Sequence, residues 1–450
     1  MDSTICAIST SIGVGAISII RVSGPDAINI VNKIFKGKDL TKVPTHTIHY
    51  GYIYFENEKI DEVLVTVMKS PKTFTTEDIV EINSHGGPST TNKILEILLL
   101  SGCTQAEPGE FTKRAFLNGR IDLLEAESIS DLISSETEKS RKLAMNGITK
   151  ELSAKIEDLR KDIIDIEANI EVNIDYPEYE EGIDFTNKTI KPHIERLLNK
   201  INEILSNSNS GKLIKDGINV SLLGKPNVGK SSILNTLLNE EKAIVTNIPG
   251  TTRDIVEGRI NLNGIILNLI DTAGIRDTND VVEKIGVEKS LKMIEESDLI
   301  IYVINNNEEI DAEDINTINK FKDKKSIIFI NKNDLETKIN KEKLKDLNIV
   351  YGNTIDIDGL DNLKQDIVKM FNLNQIEKSD YTFLSNARQI SLIKKCKETL
   401  ENILINIDNL PVDVFTIDLN EAYELLGEII GATYKEDLLD ELFSKFCLGK

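Results

Sequence analysis

Eight residues limit the folds open to this chain more than any other stretch. GKPNVGKS, Gly224 to Ser231, satisfies the pattern GxxxxGK[ST], with the apolar run INVSLL before it and the helix-forming run SILNTLLN after it. A strand, a glycine-bearing loop and a helix in that order aim successive backbone N–H groups into one concavity. The positive end of the helix lies behind them, so the concavity is a seat for phosphate. In such a loop Lys230 reaches the β- and γ-oxygens, and the Ser231 hydroxyl ligates magnesium. The pattern needs a sheet to carry it. Between Ile218 and about Met370 the apolar runs INVSLLG, IILNLID, LIIYVIN and SIIFIN alternate with polar helical stretches. That alternation builds a parallel sheet with helices on both faces.

The rest of the chain reads differently. At 450 residues it is too long for one core, and two to four domains are expected. Residues 1–120 alternate β-rich runs (AISIIRVSG, THTIHYGYIYF, DEVLVTVMKS, DIVEINSH) with the helical run TNKILEILLLSG, which predicts an α+β domain. From about Ile121 the pattern turns helical. Leu152, Ile156, Leu159, Ile163, Ile166 and Ile170 fall at 4-3-4-3-4 spacing, a bundle stripe, and DYPEYEEG ends it with Pro177 and Gly182 as breakers. A further helical run, NKTIKPHIERLLNKINEILSNSNSG, closes in a Ser/Asn/Gly stretch of the kind found at domain junctions. Helical pattern returns from about Ser385 to Lys450, so the α/β unit reads as an insertion into one helical domain. The expected division is 1–120, 121–215, 216–375 and 376–450.

Composition narrows the function classes. No apolar run approaches the roughly eighteen residues that span a bilayer, and MDSTICAIST is no secretory signal, so a cytoplasmic protein without membrane contact is expected. Four cysteines without CxxC spacing argue against a zinc site. The net charge of −21 repels nucleic acid over most of the surface, but unevenly. Residues 1–120 carry 12 basic against 13 acidic side chains, whereas 151–190 carry 4 against 12, so a phosphate-rich partner should avoid the middle segment.

Three further elements follow the phosphate loop in order. PGTTRD, Pro249 to Asp254, offers hydroxyls for the magnesium shell, and Asp271 at the end of IILNLI can hold the metal through water. NKND, Asn331 to Asp334, follows SIIFI; a carboxylate there accepts the N–H groups of guanine's edge, while adenine would leave it unpaired. The set is a guanine nucleotide site. Within DTAGIR, Asp271 to Arg276, Ile275 stands where a Ras-like enzyme has a water-orienting glutamine. Arg276, Asp277, Asp280 and Glu283 in the peptide that follows are candidates for holding that water, though spacing alone more often places each in a solvated acidic loop. The Asn227 side-chain oxygen could ligate a cation, and a monovalent ion could supply the charge of an arginine finger.

GKPNVGKS, GTTRD and DTAGIR together resemble the potassium-dependent, hydrophobic-substituted branch of small GTPases (TrmE-Era-EngA-YihA-Septin-like). With SHGGP (84–88), PGEFTKRAFLNGRIDLLEAE (108–127) and FCLGK (446–450), the whole chain resembles the MnmE (TrmE) family of tRNA modification GTPases. The resemblance implies an N-terminal tetrahydrofolate-binding α+β domain that dimerises, a helical domain, and a Ras-like GTPase domain inserted into it. It implies a homodimer that joins the flavoprotein MnmG in a heterotetramer. With a one-carbon unit from 5-formyl- or methylene-tetrahydrofolate, that complex places aminomethyl or carboxymethylaminomethyl groups on the wobble uridine of certain tRNAs.

Carried over by motif, K+ is held by Asn227, Thr246, Ile248 and Thr251, and Mg2+ by Ser231 and Thr252. GTP lies against Asn227, Val228, Gly229, Lys230, Ser231 and Ser232, and against Thr246, Asn247, Ile248, Pro249, Gly250, Thr251 and Thr252. Asp271, Thr272, Ala273 and Gly274, then Asn331, Lys332 and Asp334, complete the GTP set. Glu283 is the matching catalytic position, and Arg21, Glu81, Arg120 and Lys450 match the folate positions. Arg120 stands where the family commonly has lysine, keeping charge but not geometry, and Asn353-Thr354 stands where the base loop is expected as Ser-Ala. Cys447 in FCLGK is suggestive as a nucleophile but reads more readily as a half-buried thiol beside Phe446. Two other readings are a GTP-dependent ribosome-assembly switch, whose relatives lack FCLGK and the SHGGP region, and a folate-dependent aminomethyltransferase with a regulatory GTPase.

Overall fold

The computed structural model describes residues 3–175, 186–240, 258–271, 294–356, 358–373, 383–434 and 436–450. They form two compact units. One comprises Met1–Ile133, Gly147–Asn199 and Leu392–Lys450; the other comprises Ser134–Asn146 and Lys200–Ser391.

The first unit begins with a seven-stranded sheet of β1 (Ile5–Ile8), β2 (Ile17–Ser23), β3 (Phe35–Lys36), β4 (Thr47–Phe55), β5 (Glu58–Met68), β6 (Ile79–His85) and β7 (Thr104–Gln105). The spatial order is β3-β4-β5-β6-β2-β1-β7, antiparallel except where β1 meets β7. Alternation decides the faces. Ile20 and Val22 on β2, Val63, Val65 and Val67 on β5 and Val80 and Ile82 on β6 bury against helices Ala27–Ile34 and Pro88–Leu100. Register sets Arg21 of β2 directly across from Glu81 of β6.

The helical part of this unit follows the predicted stripe. All six positions from Leu152 to Ile170 are buried in helix Glu151–Asp175, each worth about 1.5–3 kcal/mol over exposure. Arg160 on the same helix stacks over Tyr423 at 4.2 Å, on helix Phe415–Ile430. Ala115, Phe116, Leu123 and Ala126 share a core with Leu439 and Phe443 of helix Glu436–Ser444, so the C-terminal segment packs on the N-terminal domain. Cys447 corrects the expectation made for it. The thiol is exposed, and the chain there is held by its backbone, with the Gly109 N–H donating to the Cys447 carbonyl at 3.3 Å.

The second unit is a six-stranded sheet of β8 (Ile218–Leu223), β9 (Gly258–Leu262), β10 (Ile265–Asp271), β11 (Leu299–Asn305), β12 (Ser326–Asn331) and β13 (Ile349–Tyr351). Its order is β13-β12-β11-β8-β10-β9, parallel throughout except for β9 at the edge. β11 is buried at every position, as a strand covered on both faces must be. The Ser/Asn/Gly stretch expected as a junction is instead helix, because Lys191–Asp216 runs through it. Ser208 donates back to the Ile204 carbonyl, and Gly211 presses on Leu384, where a Cβ would lie 2.6 Å from the carbonyl oxygen. Ser134–Asn146 joins this unit through Leu143 in the α/β core, Lys139 beneath Gly264, and an Arg259–Glu136 ion pair.

Candidate nucleotide site

In a parallel sheet the loops leaving the carboxyl ends of the strands collect on one edge, and a crevice opens where the strand order reverses. Here the chain passes from β8 outward to β10 and returns on the other side as β11. Four sequence elements fall on that edge: the phosphate loop after β8, Asp271 closing β10, NKND from the end of β12, and Asn353 after β13. Asp271 is in register with Leu222, two residues before the loop begins.

The loop's conformation depends on its sequence. Gly224 has φ +145° and Gly229 φ +99°, both in the region that glycine adopts without strain, and Asn227 sits at +63°. A Cβ on Gly224 would meet the Val303 carbonyl oxygen at 2.5 Å, and one on Gly229 would meet Asn331 Nδ2 at 2.3 Å. Helix Lys230–Glu240 starts at the loop lysine. The Lys230 ammonium donates to the carbonyls of Gly224 and Lys225 at 2.8 and 2.7 Å, which holds it across the loop.

Asn331 binds the two halves of the site together. It is 2% exposed, and its Nδ2 donates to the Val228 carbonyl at 2.9 Å. Its Oδ1 is buried without a hydrogen-bond partner. A buried acceptor left open is costly unless a ligand donor completes it, so it favours a ligand with N–H groups. Lys332 has φ +58° and lies 3.5 Å from the Asn227 carbonyl through Nζ, while Asp334 is exposed on the same turn.

One residue missed as a site member is Asn353. It is 6% exposed, and every hydrogen-bonding position of its amide is used. Nδ2 donates to Asn333 Oδ1 at 2.9 Å and Asp356 Oδ2 at 2.8 Å, while Oδ1 accepts from the backbone N–H of Ile355 and Asp356 at 3.0 and 2.8 Å. An asparagine in place of the expected serine thus grips the third residue of NKND. The only sequence signal was the departure itself.

The remaining nucleotide positions lie outside the described residues: Thr246, Asn247, Ile248, Pro249, Gly250, Thr251, Thr252, Thr272, Ala273, Gly274, Ile275 and Glu283, with Arg276, Asp277 and Asp280. Val228 is buried at 3%, whereas Asn227, Ser231 and Ser232 are exposed.

In the first unit, the four positions carried over for folate converge. Arg21 donates to Glu81 Oε1 through Nε at 2.9 Å and pairs with it through Nη2 at 2.8 Å. Its Nη1 reaches the Gly449 carbonyl at 3.4 Å, which also accepts from the Ser9 hydroxyl at 3.0 Å. Arg120 donates to the Phe74 carbonyl at 2.9 Å and stacks over the Phe74 ring, which Arg21 also faces. Burial, and then the Arg21 charge, push the Lys450 ammonium below its ordinary range. The Arg21 and Lys450 charges repel each other, and an anion bound beside them would relieve that repulsion. A cavity of about 530 Å³ adjoins, lined by Ser9, Thr10, Val14, Ser18 and Gly86.

Comparison with known families and relatives adds to this geometry. The family described as MnmE helical domain matches residues 123–447, and the one described as GTP-binding protein TrmE N-terminus matches residues 4–120. A tRNA modification GTPase MnmE of Ligilactobacillus salivarius is 49% identical over 455 residues, covering 99% of this chain and 98% of that protein. One of Bacillus cytotoxicus is 48% identical over 454 residues, covering 99% of each.

Proposed function

The chain belongs to the MnmE (TrmE) family, and from that premise we propose that it hydrolyses GTP and uses the cycle to drive modification of tRNA. The single observation that carries the reading is the bond from Asn331 to the Val228 carbonyl, which locks a guanine-type base loop onto a phosphate loop and leaves the buried Asn331 Oδ1 without a partner. A GTPase with this N-terminal region and this helical region is not a ribosome-assembly switch of the simpler kind, because both flanking parts match the tRNA-modifying family.

Within the site, the loop N–H groups and the Lys230 ammonium neutralise the β- and γ-phosphates, and Asp334 accepts the N–H groups of the guanine edge. Magnesium would be held by Ser231 and Thr252, with Asp271 acting through water, and would offset the negative charge of the phosphates. Potassium, held by Asn227, Thr246, Ile248 and Thr251, would supply the charge an arginine finger provides elsewhere. Glu283 orients the attacking water and takes its proton, which is why Ile275 needs no polar atom.

The product of the cycle, on this reading, is the carboxymethylaminomethyl or aminomethyl group on the wobble uridine, formed by a homodimer together with MnmG. Arg21 and Lys450 pair with the glutamate tail of a tetrahydrofolate one-carbon donor, Glu81 meets the pterin N–H groups, and Arg120 lies at the rim. The division expected from the sequence, 1–120, 121–215, 216–375 and 376–450, then describes domains of separate function. Among the described residues no helix is long and apolar enough to cross a membrane.

Mass spectrometry of wobble uridines in cells with and without the gene tests the function: the modified nucleoside should vanish on deletion and return with the intact chain. An unchanged nucleoside profile would exclude the reading. The folate assignment has its own test. Arg21→Ala should weaken binding of 5-formyltetrahydrofolate by about tenfold or more, because a charge-assisted pair is lost. Equal affinity by equilibrium dialysis would remove Arg21 from the site.

A further inference from the structure

The second residue of the phosphate loop, Lys225, points away from the loop's centre. Its ammonium lies 2.5 Å from Asp311 Oδ2 and 2.9 Å from Asp314 Oδ2. Neither carboxylate is a casual surface partner. Asp311 is the N-cap of helix Ala312–Lys320, where Oδ1 accepts from the backbone N–H of Glu313 and Asp314 at 2.9 and 3.0 Å. Asp314 is 4% exposed; its Oδ1 accepts from the buried Tyr302 hydroxyl at 2.8 Å, and its Oδ2 accepts from the Asp311 N–H at 3.1 Å. Three of the four carboxylate oxygens are therefore engaged by the helix start and β11 independently of Lys225, and the fourth, Asp311 Oδ2, is taken by Lys225 itself.

The backbone of the same residue faces the other way. The Lys225 carbonyl, with that of Gly224, receives the Lys230 ammonium. Lys225 thus ties a rigid anchor on one side to the phosphate-binding lysine on the other.

We propose that Lys225 is a positioning residue for nucleotide binding, holding the first turn of the phosphate loop against the start of helix Ala312–Lys320 so that Lys230 is presented at the phosphates. The proposal rests on the reading of this site as a GTP site. Lys225 holds the Asp311 carboxyl down at about 2, and the two carboxylates, outweighing burial, raise the Lys225 ammonium. A depressed carboxyl loses its contribution only as pH falls through its folded value, so the tether stays ionised at neutral pH.

Steady-state GTP hydrolysis and GDP binding by the full chain test it, with Lys225→Met, Lys225→Arg and Asp311→Asn. The last keeps the helix cap, since asparagine caps as well as aspartate, and removes the charge. Lys225→Met should raise KM for GTP and Kd for GDP about tenfold with kcat within about twofold, since one charge-assisted contact is lost and the chemistry is not touched. Lys225→Arg should restore most of the affinity, and Asp311→Asn should raise KM in the same direction. A lowered melting temperature with unchanged KM and Kd would overturn the proposal in favour of a purely structural ion pair. A fall in kcat at unchanged KM would overturn it in favour of direct contact with the reacting phosphate. Should Lys225→Met fail to fold, Asp311→Asn decides by the same criteria. Absence of GTP turnover in the unaltered chain would defeat the GTPase reading itself and is read separately.

Discussion

A Gly229→Ala chain is expected to lose GTP binding by about 10²–10³-fold while remaining folded. Two costs combine. A non-glycine residue held at the φ of +99° carries about 1–3 kcal/mol of backbone strain. The new methyl would also lie 2.3 Å from Asn331 Nδ2, so the bond from that amide to the Val228 carbonyl must break, at about 1–3 kcal/mol for buried groups left unpaired. Every 1.4 kcal/mol is tenfold, and a loop that relaxes both strains in the free chain must be returned to this geometry to hold the phosphates. Titration with a fluorescent guanine nucleotide, beside a thermal melt, measures the effect. Binding within about threefold of the unaltered chain would mean that the loop and the base turn are not locked together as described.

The second large effect concerns hydrolysis rather than binding. Glu283→Ala is expected to lower kcat by about 10²–10⁴-fold with GTP affinity little changed, the signature of a group that acts on the water and not on the ground state. Turnover by the unaltered chain should rise strongly in potassium relative to sodium, since on the proposed reading the larger ion supplies the charge an arginine finger provides elsewhere. Equal rates in the two salts would sink the potassium assignment, and normal turnover by Glu283→Ala would return the water to another residue of that acidic stretch.

How much of this was written plainly in the sequence depends on the range of the interaction. The phosphate loop is legible because strand, loop and helix are contiguous and each glycine answers to a local φ or a close approach. The helix stripe from Leu152 to Ile170 is legible because its period is local too. The anchor of Lys225 is not, since Asp311 and Asp314 lie 86 and 89 residues away and nothing near Lys225 announces them. Nor is the meeting of Arg21 with the Gly449 carbonyl, 428 residues apart; the resemblance grouped Arg21 only with the neighbouring Lys450. Asn353 was visible only as a mismatch to an expected serine; its grip on Asn333 needs the turn after β13 to be folded. The Ser/Asn/Gly stretch before Gly217 misled because small polar residues read as linker, while Ile214 and the seat of Gly211 hold it as helix.

Ser134–Asn146 belongs to the α/β unit although the chain on either side of it, up to Ile133 and from Gly147, belongs to the other. During synthesis this short stretch leaves the ribosome well before β8 exists. Leu143 and Glu136 must therefore wait, unmatched, for the hairpin of β9 and β10 to be made. A piece of the protein cut to Lys200–Ser391 alone would leave an apolar socket where Leu143 sits and a guanidinium without its carboxylate at Arg259. Such a piece invites self-association through that socket, and adding Ser134–Asn146 back as a free peptide should suppress it.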